Sequence, residues 1–165
     1  MPNDITGWLH TLAAVIALIT GTIVLTKVKG TRLHKRIGRF YGTSMLIVCA
    51  TSFMIFKVQG SFGVLHFFAT LSTITLIFGM FPLYSDFLKN PIVTHLSWMY
   101  WSVIGLYCAF AAEIFTRLPM LFNLKNSYGI FYTLVGISTG LVGFAGSYHF
   151  RRKKSDWEKR FSHKS

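Results

Sequence analysis

Apolar residues run along this chain in five long stretches, roughly 6–28, 41–56, 62–84, 91–115 and 128–150, with no two-residue alternation inside them. Each is near the ~20 residues that carry a helix across ~30 Å of hydrocarbon. Lipid offers no partner to backbone N–H and C=O groups, so unbroken apolar runs predict helices and exclude a β-barrel. The segments between them are too short for a separate soluble domain. The pattern therefore predicts one integral membrane domain over 1–165: an all-α, five-span bundle with a four-helix core, a fifth helix packed by a glycine face, and a basic tail over 151–165.

Local signals sharpen the boundaries. Asn90-Pro91 is a helix start, Asn as cap and Pro at the first helical position, and Pro119 is expected to follow the end of span four. Thr31 can cap span two early, so that the amphipathic segment Arg32–Phe40 continues that helix into the headgroups. Trp8, Phe62 and Tyr128 mark one interface, and Tyr41, Tyr84, Trp98, Tyr100 and Trp101 the other. Span five carries Gly129, Gly136, Gly140, Gly143 and Ser147 at helical spacing, a bare face that predicts close packing by another helix of the bundle, by a second copy, or by a flat cofactor. Cys49 and Cys108 fall inside spans two and four, without C-x-x-C spacing, and are expected to be small core residues.

Charge then orients the bundle. In a soluble protein the net charge of +12 would suggest nucleic acid. Here fourteen of the 17 Lys and Arg follow spans one, three and five, against Lys57, Arg117 and Lys125 on the other side. The positive-inside rule makes the first set cytoplasmic, an N-out, C-in topology in a bacterial inner membrane, with no nucleic-acid partner. The segment Met1–Gly7 contains Asp4 and no Lys or Arg, which argues against a cleaved leader. The basic tail, with Trp157 and Phe161 four apart, is expected to lie on anionic lipids of the inner leaflet.

The candidate chemistry lies in histidines near the span ends. His10 and His66 sit about one turn inside spans one and three, which run parallel, so both imidazoles belong to the outer level. Ala14, Ala17 and Gly21 continue the His10 face, and Thr70 and Thr73 the His66 face, leaving room between helices. His34, with Gly38, Tyr41 and Met45 on its face, and His95, with Met99 and Ser102, repeat the arrangement at the inner level. His149 ends span five on that side, and His163 lies in the tail. Burial disfavours imidazolium, and neutral imidazole is the ligating form, so opposed pairs could hold haem iron or a smaller ion. Glu113 lies ~27 Å along span four from His95 and so at the outer level, with Arg117 one turn on as a candidate ion-pair partner. Against these stands the plainer reading that each histidine is an interfacial residue bonded to water or a loop carbonyl.

Taken together, His10, the run Lys29-Gly30-Thr31-x-x-His34-Lys35-Arg36-x-Gly38-Arg39-x-Tyr41 with Met45, His66, and His95 with Met99 resemble a family of bacterial predicted membrane proteins filed as a domain of unknown function. The resemblance covers roughly 8–112 and implies no activity. More distantly, histidines on alternate helices resemble the transmembrane di-haem b-type cytochromes. That likeness implies an outer haem b on His10 and His66, an inner one on His34 and His95, and Arg32, Arg36 and Arg39 beside the inner propionates. The chain departs from that pattern in depth: His10 and His34 are 24 residues apart, ~36 Å if helical throughout.

Three functions follow as expectations. The first is a b-type-cytochrome-like redox protein passing electrons between a quinol or other redox partner and an outer acceptor. The second is a metal-dependent membrane enzyme or metal carrier with zinc or copper on His10, His66 and Glu113, a three-ligand site with one open position. The third is a non-catalytic membrane subunit, able to form a homo-oligomer, whose basic surface holds lipid or a partner.

Overall fold

A computed structural model of the chain describes residues 5–55, 63–84, 87–121 and 127–161. Among them the structure is helical throughout, with α1 Ile5–Thr26, α2 Arg32–Ser52, α3 Val64–Met80, α4 Pro91–Leu121, α5 Ser127–Phe161 and a 3₁₀ turn Phe81–Leu83 after α3. Three segments are long and apolar enough to cross a membrane: Ile5–Thr26, Leu65–Leu83 and Pro91–Phe115. The protein is thus an all-helical membrane protein with several apolar helices.

The chain divides into two compact units, Met1–Ile77 and Phe78–Ser165. In the first, α1 and α2 form a tight antiparallel hairpin. Small residues make this possible. The buried face of α1 is Ala13, Ala17, Gly21 and Val24, and that of α2 is Tyr41, Ser44, Met45, Val48, Cys49 and Thr51. Without a hydrophobic drive between helices in lipid, close backbone approach across small side chains supplies the dispersion contact. The small residues near His10 therefore close the gap to α2 instead of leaving room.

The joint of this hairpin is built by the Lys29-Gly30-Thr31 run. Lys29 Nζ donates to the carbonyls of Val24 and Leu25 in the last turn of α1. Gly30 takes φ +81°, a left-handed conformation that side-chain-bearing residues resist. Thr31 then caps α2, its Oγ1 accepting from the His34 N–H at 3.1 Å. The early start of α2 is thereby confirmed.

In the second unit α4 and α5 form the corresponding hairpin. Tyr100 donates its hydroxyl to the Gly146 carbonyl at 2.8 Å, and Gly146 lies against Ile104, where an added Cβ would stand 3.0 Å from the side chain. Rings of Tyr100, Trp101, Phe150 and Trp157 cluster at 5.3–6.4 Å. α4 starts at Pro91 as expected, the Asn90 carbonyl accepting from the Thr94 N–H.

Several expectations are corrected. Among the described residues nothing lies within 4 Å of a Cβ added at Gly129, Gly136, Gly140 or Gly143, so within the second unit α4 does not close onto that face. α5 instead packs by the neighbouring face of Val135, Thr139, Gly146, Phe150 and Trp157, because the aromatic cluster and the Tyr100 bond outweigh a bare stripe. α5 also continues unbroken to Phe161. Trp157 is only 7% exposed, turned onto Tyr100 and Phe150. Tyr41 and Tyr100, expected in an interfacial belt, are core residues. α4 runs through Pro119 to Leu121, since a proline in the last turn removes one hydrogen bond from a helix otherwise free to continue. The spans 41–56 and 62–84 reach residues outside those described, and α2 as described ends at Ser52.

Candidate functional site

The four histidines proposed as ligands all lie among the described residues, and three of them have a definable local role. His10 stands in the second turn of α1, half-buried, with Nδ1 2.9 Å from Thr51 Oγ1 at the far end of α2. The Thr51 hydroxyl has one proton and directs it to the carbonyls of Ile47 at 2.7 Å and Val48 at 3.1 Å. It therefore accepts from His10, whose Nδ1 carries the hydrogen. Nε2 is then the basic nitrogen of the neutral ring.

His95 reaches the same tautomer by another route. Its Nδ1 donates to the Gly79 carbonyl at 2.6 Å. That carbonyl lies in the last turn of α3, where a 3₁₀ turn follows. In a 3₁₀ turn its donor would be the N–H of residue 82, which is proline and has none. His95 supplies the missing hydrogen. The approach depends on Gly79, where a Cβ would stand 2.6 Å from Met99 Sδ and 3.4 Å from the Met99 backbone nitrogen.

His66 is oriented the other way. It is buried, and its Nδ1 accepts from the Gly63 N–H at 3.3 Å. Gly63 precedes the first residue of α3, so a side chain at the third helical position reaches back to the cap N–H, the part that Glu or Gln plays in a capping box. The neutral ring then carries its hydrogen on Nε2, the nitrogen an iron ligand would have to present bare.

His34 occupies the third position of α2, half-buried, with Nδ1 shielded from solvent. Gly38 and Gly42 follow on its flank, and nothing lies within 4 Å of an added Cβ at either. His149 is exposed. Glu113 is half-buried on α4 in the second unit, whereas His10 and His66 belong to the first. The Arg117 side chain lies outside the described residues, as does His163. Among the described residues no three His, Cys, Asp or Glu side chains gather as metal ligands. Cys49 and Cys108 are buried free thiols, as expected.

The partners that give these histidines their geometry were missed by the sequence reading. Thr51 could have been noticed as a polar residue at the end of an apolar run opposite His10. The Gly79-x-x-Pro82 spacing could have marked a carbonyl in need of a donor. Nothing local singled out Gly63 or Gly146.

Residues 7–145 match the model of a family described as predicted membrane protein, DUF2306. No curated protein and no solved structure matches the chain.

Proposed function

Because the chain belongs to the DUF2306 family of predicted membrane proteins, whose function is unknown, we propose from its own residues that it is a haem-carrying redox protein of the bacterial inner membrane, N-out and C-in. The observation that carries this reading is the tautomer shared by His10 and His95. In each, Nδ1–H is held by an oxygen on another helix, which orients the ring and leaves Nε2 as the basic nitrogen, the arrangement that an oriented metal-ligating histidine requires. Gly38 and Gly42 beside His34 leave room for a flat macrocycle. His66 fits less well, since ligation through Nε2 would move its hydrogen to Nδ1 and break the bond from Gly63. In this reading His10 and His66 hold an outer haem b, and His95 supplies a ligand to an inner one. A bound haem supplies reversible one-electron transfer, with a quinol as candidate donor. Thr51 and the Gly79 carbonyl orient the His10 and His95 rings.

An absorption spectrum of the solubilised protein tests this. A Soret band that sharpens on dithionite, with one haem signal lost in His10→Ala and the other in His95→Ala, is the expected result. A colourless protein after expression with haem supplied would sink it.

A second reading is favoured by the roles of His66 and His95 at the two ends of α3. Both close backbone groups that helix termini leave open, so the histidines would be structural pins of a non-catalytic membrane subunit. In that case His95→Ala lowers thermal stability and the protein carries no chromophore.

A further inference from the structure

We propose that a basic depression at the start of α2 binds the phosphate of an anionic phospholipid headgroup. It is a half-open groove along one helix, lined by Arg32, Leu33, Lys35, Arg36 and Arg39, with a volume of about 480 Å³. All four cations are exposed, and the first turn of the helix holds no acid.

The α1–α2 hairpin sets the depth of this cluster. The His10–Thr51 bond closes one end of the hairpin and the joint at Lys27–Thr31 the other. Arg39 therefore stands level with the Ile19–Thr22 turn of α1. That is ~6–10 Å inside the end of a helix long and apolar enough to span the membrane. A guanidinium at this depth extends into the headgroup layer, where the anion at hand is lipid phosphate and not phosphate from bulk water. Arginine forks match phosphate oxygens two by two. Leu33 in the wall and Phe40 beside Arg39 are exposed apolar surface suited to the first methylenes of the acyl chains. Four like charges within two helical turns repel one another, and a bound phosphate relieves that repulsion.

The test reconstitutes the full-length protein in nanodiscs of phosphatidylcholine with increasing phosphatidylglycerol and counts retained phosphatidylglycerol by native mass spectrometry. Arg36→Gln with Arg39→Gln is expected to weaken retention about tenfold, and Arg39→Lys about threefold because charge remains but the fork is lost. Arg151→Gln with Arg152→Gln, an equal charge loss on α5, is expected to change retention by less than about twofold. Equal losses in both double variants would reduce the effect to general surface charge and overturn the site. Displacement of phosphatidylglycerol by millimolar inorganic phosphate would overturn the lipid as ligand. Haem content is read on the same samples: its loss in the Arg36 and Arg39 double variant with lipid retention intact would give these arginines to propionates and refute the proposal.

Discussion

Where α1 meets α2, the buried residues on one side are Ala13, Ala17, Gly21 and Val24, and a side-chain bond from His10 to Thr51 joins the open end. Where α4 meets α5, four aromatic rings crowd one end, and one glycine, Gly146, admits Ile104 and offers its carbonyl to Tyr100. The first hairpin is held by closeness along its length, the second by bulk at one end together with bonds from Tyr100 to Gly146 and from Cys108 to Thr139. Apolar surface alone gives no preference between lipid and protein, so each pair needs a specific device. Small residues count only where a partner reaches them: Ala17 is fully buried, whereas Gly140 is open.

The largest effect that can break this contrast is expected at Ala17. Ala17→Leu forces a branched side chain into a closed helix pair and should lower stability by about 3 kcal/mol in thermal unfolding of the purified protein in detergent. A change within about 0.5 kcal/mol, the range of ordinary surface substitutions, would mean that the first hairpin is not closed there. Tyr100→Phe keeps the ring cluster and removes the bond to Gly146, and should lower stability by about 1 kcal/mol. A loss as large as that at Ala17 would show that the bond, and not the rings, holds the second hairpin. The smallest effect is expected at Gly140→Ala, a gain of about 0.5 kcal/mol from helix propensity with no steric conflict. A destabilised variant with a reduced oligomer in analytical ultracentrifugation would show instead that a second copy covers this face.

Much of the helical layout was legible in the sequence, because length, apolar composition and caps are local. Pro91 starts α4 and Thr31 caps α2 for reasons written in adjacent residues. The glycine stripe of α5 was legible as a stripe, but its partner was not, since the competing face one residue over gains its advantage from Tyr100 and Trp101, far away in the chain. The His10, His34, His66 and His95 positions could be named in advance. Their ring orientations could not, because each depends on an atom supplied by another helix or by a helix terminus.

By itself the sequence determined that this chain is a helical membrane protein, since a bilayer demands internally bonded backbone and apolar side chains wherever the chain crosses it. Only the tertiary structure decided which helix faces touch, that Lys29 closes α1, that His95 completes the end of α3 where Pro82 has no hydrogen to give, and that His66 turns back to cap its own helix. Those outcomes turn on single donors and acceptors meeting within 3.5 Å, a distance that residue order along one strand of sequence does not encode.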